Sequence, residues 1–195
     1  MLNVAGIEAV VIGASAGGID AVATLLDALP ASFGAAVAIV IHVPATNDGL
    51  LARVLAPRCA LPLREASDKE TVETGTVYLA PPGYHLLIEP EQTFALSLDE
   101  PVNFSRPSID VLFESAAHAY RDRLLAIVLT GANADGAEGL RIVRELGGSA
   151  WVQRPDTAYA QAMPAAAIER AGADRISTVA DMARDLAAVA IASTG

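Results

Sequence analysis

Three short stretches of this chain carry side chains whose types and spacing could do chemistry together. In Gly13-Ala14-Ser15-Ala16-Gly17-Gly18 a serine stands between glycines in a G-x-S-x-G pattern. Glycines beside a serine allow a sharp turn with little bulk, which pushes the hydroxyl outward. A helix opening just behind it would offer free N–H groups and a positive dipole end to a developing oxyanion. The second stretch is Ile41-His42-Val43-Pro44. Imidazole is a base of near-neutral pKa, which a serine needs to become a nucleophile. The third is Thr130-Gly131-Ala132-Asn133-Ala134-Asp135-Gly136, where Asp135 could orient that imidazole and stabilise its charged form.

Each stretch also has a plainer reading. A glycine-rich turn can cradle a dinucleotide pyrophosphate, but that fingerprint wants a second glycine where Ser15 stands. It also wants an acid about 20 residues on, and Ser32-Phe33-Gly34-Ala35 offers none. Ser15 could merely cap a helix. A lone histidine is more often structural than reactive, and Asp135 could be the N-cap of the helix that follows it. Finding serine, histidine and aspartate in three separate loops is more than any one of them implies. The order Ser, His, Asp along the chain is not that of the α/β-hydrolases, so that fold is not indicated.

All three loops follow apolar runs. IEAVVIG (7–13), AAVAIVI (35–41) and LLAIVL (124–129) read as buried parallel strands. Helical spacing follows over 17–29, 47–55, 108–120, 137–145, 164–171 and 179–192, with Asn47 or Asp48 available to cap the second of these. Residues 149–152 read as another strand. The stretch 61–98 differs: 76–79, 85–89 and 93–98 are short strand-like pieces punctuated by Pro81-Pro82-Gly83, read as hairpins or edge strands. Strands alternating with helices argue for an α/β fold with a mostly parallel sheet, in which sites gather at the carboxyl ends of the strands.

The 195 residues fit one domain, 1–195, and a hydrophobic share of 53%, much of it alanine, suits helices packed closely on a sheet. A net charge of -10 disfavours nucleic acid and anionic membranes as partners. The one cysteine, Cys59, is expected to be a small buried hydrophobe and permits no internal disulfide. There is no signal-peptide pattern and no apolar run long enough to span a bilayer, so the expectation is a cytoplasmic protein. His42, His85 and His118 lie far apart without short-spaced acid or thiol partners, so no metal site is expected, and His85 and His118 are read as structural.

Six ordered stretches resemble the catalytic domain of the chemotaxis protein-glutamate methylesterases: VVIGASAGG (10–18), IHVP around His42, LAPPGYH (79–85), SRPSIDVLFESAA (105–117), LTGANADGAEG (129–139) and AMPAAAI (162–168). The resemblance implies a doubly wound parallel sheet, with helices on both faces and a small antiparallel hairpin region. It implies Ser15 as nucleophile, His42 as general base and Asp135 as orienting acid. Methylated cytoplasmic helices of chemoreceptors would be the substrates, and no cofactor or metal would be needed. The same chemistry allows glutamine deamidation. The N–H groups of Ala16 and Ala132 would hold the oxyanion. Arg106 would either position an acidic receptor helix or bond loop carbonyls. Two departures stand out. Ala132 and Asn133 occupy positions where the family usually has methionine and glycine. The chain also starts so close to its first strand that no room is left for the family's N-terminal receiver domain, so an excised domain or a stand-alone member is expected. The rival readings are a partner-binding module of this fold without turnover, and a nucleotide-binding protein using the loop 13–18.

Overall fold

A computed structural model describes residues 6–43 and 49–192. In chain order the elements are β1 (Ala9–Ala14), α1 (Gly18–Ala28), β2 (Ala36–Ile41), α2 (Leu50–Leu55), β3 (Leu63–Glu65), β4 (Val77–Leu79), β5 (His85–Ile88), β6 (Phe94–Ser97), α3 (Ile109–Tyr120), β7 (Leu124–Val128), α4 (Ala137–Glu145), β8 (Ser149–Gln153), α5 (Ala162–Ala171), β9 (Arg175–Ser177) and α6 (Val179–Ala192). Every residue of β1, β2 and β7 is buried, as near-continuous apolar runs require in a sheet covered on both faces.

Seven strands form one sheet in the order β3-β4-β2-β1-β7-β8-β9, all parallel, and β5 pairs with β6 in a separate antiparallel hairpin. The alternation of side chains along each strand divides the core in two. Val10, Ile12, Val37, Ile39, Leu125 and Ile127 face α1, α2 and α6. Ala9, Val11, Ala36, Ala38, Ala126 and Ala150 face α3, α4, α5 and the hairpin. The second face is alanine-rich, so the helices on it lie close to the sheet. Each fully buried Ile, Leu or Val contributes about 1.5–3 kcal/mol, so both faces supply large favourable terms. The expected doubly wound α/β fold with a small hairpin region is the one observed.

The middle of the chain differs from the sequence reading in one place. Residues 76–79 were expected among hairpins or edge strands, but β4 is an interior strand, paired with β2 on one side and β3 on the other. The hairpin itself comes from the other two pieces. β3 and β9, the edges, are three residues each and give no periodicity to read. The helix expected from residue 47 is described from Leu50, with Gly49 as its N-cap, and Asn47 and Asp48 lie outside the described residues. Among the described residues no helix is long and apolar enough to cross a membrane.

Register places the loops of interest side by side. Ala14 is level with Ile41 on β2, and Gly13 with Val128 on β7. Hydrogen bonds continue past the strands, from His42 N–H to the Ala14 carbonyl (3.0 Å) and from Ser15 N–H to the Thr130 carbonyl (2.9 Å). Ser15 therefore emerges between His42 and Thr130 at the carboxyl edge.

Gly13 controls how near α3 comes to this edge. A Cβ there would stand 2.3 Å from Ile109 Cγ2, at the first residue of α3. Gly13→Ala is expected to lower unfolding free energy by about 1–3 kcal/mol, the usual cost of overpacking. Gly34→Ala, where nothing lies within 4 Å of the new methyl, serves as the control and should be neutral. Urea unfolding of both variants checks this, and equal midpoints would refute the close-packing argument.

Candidate active site

The elbow around Ser15 is built by local backbone demands. Gly17, the N-cap of α1, has φ 75°, a left-handed conformation that glycine adopts without steric cost. A Cβ on it would lie 2.6 Å from that of Tyr159. The two glycines of the pattern thus make room for Ile109 and Tyr159, which are protein atoms rather than a pyrophosphate. Ser15 does not cap α1, which has no side-chain cap. Its hydroxyl forms no hydrogen bond with any described residue.

Thr130 clips this elbow in place. Its Oγ1 donates to the Ala16 carbonyl (2.8 Å) and accepts from Ala160 N–H (2.9 Å), while its own N–H donates to Oε1 of the buried Gln153 (2.9 Å). Gly131 carries the same clamp forward, since its N–H donates to the Ala160 carbonyl (3.1 Å) and its carbonyl accepts from Met163 N–H (2.9 Å). Thr130, Gln153 and the loop before α5 were not singled out in the sequence. The stretch AMPAAAI hinted at the last of them, but no periodicity rule assigns it a role.

His42 and Asp135 are joined directly, Nε2 donating to Oδ2 at 2.8 Å. The imidazole is 13% exposed and the carboxylate not at all. With Nε2 facing the acid, Nδ1 is left as the acceptor of the neutral ring. His42 and Ser15 line one cavity of ≈350 Å³ with Gly17, Ile19, Asp20 and Val43. No hydrogen bond joins Ser15 Oγ to His42 here, and such contacts often tighten only with substrate.

Asp135 is not the N-cap of α4, a position that Gly136 takes. Its carboxylate reaches instead to the start of α3. Oδ2 accepts from Ile109 N–H (2.6 Å), and Oδ1 from Asp110 N–H (3.1 Å), Ser108 Oγ (2.8 Å) and Asn103 Nδ2 (3.0 Å). Asp110 returns the favour, Oδ1 accepting from Gly139 N–H in the first turn of α4 at 2.6 Å. The two helices thus exchange carboxylates at their N-termini, where free N–H groups and the dipole favour negative charge. Burial acts against the charge on Asp135, but the bonds from His42, Ile109, Asn103 and Ser108 outweigh it and hold the carboxyl below its usual range. Asp110 goes the other way. Burial and the nearby Asp135 charge raise it, against the opposing pull of its Gly139 bond.

Among the described residues neither Ala16 N–H nor Ala132 N–H donates to a protein acceptor, and Ala132 is exposed. Asn133 turns the aspartate loop, its Oδ1 accepting from Asp135 N–H at 3.1 Å, so this departure from the family has a local use. Arg106 Nη1 bonds the carbonyls of Leu98 and Asp99, both at 3.0 Å, which is the loop-bonding alternative. It also lines a cavity of ≈290 Å³ with His42, Val43 and Phe104. His85 is buried. Its Nε2 donates to the Glu100 carbonyl (3.0 Å) and its Nδ1 accepts from Ser108 N–H (3.2 Å), so it braces the start of α3. His118 is exposed on α3. Cys59 is half-buried rather than buried, packed against the core, and burial pushes its thiol pKa up. Among the described residues no group of three or more His, Cys, Asp or Glu could hold a metal ion.

The fold and this site define an α/β protein that gathers a serine, a histidine and a buried carboxylate at the carboxyl ends of three adjacent parallel strands. Residues 10–186 match the CheB methylesterase family. A Leptospira interrogans protein, provisionally named as a protein-glutamate methylesterase/protein-glutamine glutaminase, is 51% identical over 176 residues, 90% of this chain and 91% of its own length. The protein-glutamate methylesterase/protein-glutamine glutaminase of Maricaulis maris is 39% identical over 183 residues. A second one, of Anaeromyxobacter dehalogenans, is 40% identical over 182. This chain spans 46% and 53% of those two, about half of each. The crystal structure of the Thermotoga maritima CheB methylesterase catalytic domain superposes with a TM-score of 0.89 at 31% identity, covering 94% of this chain and 98% of that one. The chain belongs to the CheB methylesterase family.

The Asp135 network has a consequence for stability. A carboxyl held low in the folded state contributes stability that is present above its unfolded pKa and lost as pH falls through the folded value. Asp110, held high, contributes in the opposite sense: its share is present at low pH and lost as pH rises through its folded value. Asp135→Asn leaves an amide N–H facing buried donors. It is expected to cost about 2–4 kcal/mol at pH 7, and less at pH ~3, below the ordinary aspartate value of ~3.9, where the unfolded chain already takes up protons and the advantage of the folded carboxylate shrinks. Urea unfolding at the two pH values measures the gap, and a gap that widens in acid would show that the charge on Asp135 is not stabilising.

Proposed function

We propose that this protein hydrolyses the side-chain methyl esters of glutamates on the cytoplasmic helices of chemoreceptor-type signalling proteins, acting in the cytoplasm as one domain with Ser15 as nucleophile. The observation that carries the reading is the pairing of His42 with the buried Asp135 at 2.8 Å, beside a cavity that His42 shares with Ser15. The names of the relatives from Maricaulis and Anaeromyxobacter support the choice of ester and add glutamine as a second substrate.

The steps follow from the atoms available. Ser15 Oγ attacks the ester carbonyl while His42 Nδ1 takes the hydroxyl proton. Asp135 fixes the ring orientation and stabilises the imidazolium that forms. The N–H groups of Ala16 and Ala132 hold the oxyanion, each worth roughly 3 kcal/mol if it behaves like measured donors. The intermediate collapses, His42 gives its proton to the departing methoxide, and methanol leaves. Water then attacks the acyl-serine with the same base and frees the glutamate. On glutamine the leaving group is ammonia and the rest is unchanged. No step needs a metal or a cofactor.

Ser15→Ala and His42→Ala are each expected to cut methanol release from a methylated receptor by at least about 10⁴-fold, because the two act as a unit. Asp135→Asn should cost roughly 10²–10⁴-fold, through lost orientation rather than a lost nucleophile. Release is measured by vapour-phase assay of methanol, alongside mass spectrometry of the receptor peptide. Retention of most of the activity by Ser15→Ala would rule out Ser15 as nucleophile.

A further inference from the structure

We propose that Asn103 is a positioning residue for this reaction, acting on His42 through Asp135; the inference rests on the Ser15, His42 and Asp135 reading above. Asn103 lies in a tight turn closed by Val102 N–H to the Ser105 carbonyl (3.1 Å) and Ser105 N–H to the Val102 carbonyl (2.9 Å). Its φ is 50°, a left-handed conformation that asparagine tolerates better than most residues. The turn leaves Asn103 exposed but sends its amide inward. Nδ2 donates one hydrogen to Asp110 Oδ2 at 2.7 Å and the other to Asp135 Oδ1 at 3.0 Å. Both partners are carboxylates, so the nitrogen must be the atom that faces them.

Capping alone does not explain this amide. The start of α3 is already served by the bonds from Ile109 N–H and Asp110 N–H to Asp135, and the start of α4 by Gly139 N–H to Asp110. Asn103 is the one side chain among the described residues that donates to both carboxylates. Two carboxylates sharing a site otherwise disfavour each other's charge. The amide stands between them and, with Ser108, occupies Oδ1 of Asp135. Oδ2 is thereby turned toward His42 and held there. Asn103 and Asp110 line a cavity of ≈520 Å³ that neither Ser15 nor His42 lines, so their influence on the reaction runs through Asp135 rather than through substrate.

The test uses two substitutions. Asn103→Gly keeps the left-handed turn and deletes the amide, and Asn103→Asp keeps the shape and adds a third carboxylate. Each is made in the wild-type chain and in Asp135→Asn. The readouts are the rate of Ser15 labelling by a fluorophosphonate probe, kcat and KM on a methylated receptor fragment, and melting temperature. Labelling and kcat are expected to fall roughly ten- to hundredfold with Asn103→Gly, the loss typical of small misplacements of reacting groups, while KM changes by less than about threefold. Asn103→Asp should be the worse of the two. In the Asp135→Asn background either change should cost less than about threefold more, because the path of its influence is already cut. The full loss in that background would overturn the proposal, as would unchanged labelling in both single variants. Where the wild-type chain is labelled at Ser15 yet releases no methanol from receptor, the substrate reading fails and the positioning result still stands on the probe. Where the wild-type chain is not labelled at all, the nucleophile and the positioning role fall together.

Discussion

A fully buried carboxylate, that of Asp135, sets the terms for the rest of this site. Taking an ionised carboxyl out of water costs several kcal/mol even after relaxation, and the cost is met only by close, well-aimed donors. Here five groups donate to two oxygens, all from outside the loop that carries the acid, and four of them lie on the segment 103–110. The charge can exist only if α3 begins where it does. The fifth donor is His42, so the bond that matters for chemistry belongs to a network that the fold must complete in any case. The imidazole is therefore oriented by the same network that lets the carboxylate stay charged.

The two halves of the site are held differently. The acid half is closed by short bonds that converge on one buried carboxylate. The serine half is held by backbone: Ser15 N–H to Thr130, the Thr130 hydroxyl to Ala16, and a glycine N-cap that leaves the Ser15 hydroxyl without a bond to any described residue. A nucleophile that must form and break a covalent bond benefits from a side chain that is positioned by its backbone yet not saturated. A base that must accept a proton and return it benefits from a fixed ring. The distribution of hydrogen bonds matches those two needs.

The sequence was informative where physics repeats over many residues. β1, β2 and β7 are continuous apolar runs, and α4 and α6 carry long helical spacing, so these elements and the loops after them could be read with little error. Short elements could not. β4 is three residues followed by Pro81-Pro82-Gly83, which imitates a hairpin end, and its interior place depends on pairing with β2 and β3. The same limit applied within the site. Ser15 and His42 stand out because each ends a legible strand. A capping role for Asp135 is read from sequence only as the plainer alternative and only for the helix that follows it, because a cap is normally sought beside its own sequence and this carboxylate reaches across 26 residues to Ile109. Asn103 and Thr130 look like ordinary turn residues until their partners are known.

The topology then explains how residues from strands that do not touch can meet. β2 and β7 flank β1, so their ends stand about two inter-strand spacings apart, roughly 9–10 Å, which is too far for a direct bond between residues at the strand ends. The acid has to be carried across the end of β1. Gly13 makes this possible, because its missing side chain lets Ile109 and the start of α3 settle directly over β1. Asp135, capping that same start, is drawn over the central strand and arrives beside the histidine of β2. The strand order also reverses at β1, which is where open α/β sheets leave a crevice for ligands. Ser15, at the end of that strand, shares a cavity at this edge with the histidine that follows β2. A side chain at position 13 would lift α3, and with it the acid, away from the base. The glycine that begins the serine motif thus serves the far side of the site as much as the serine itself.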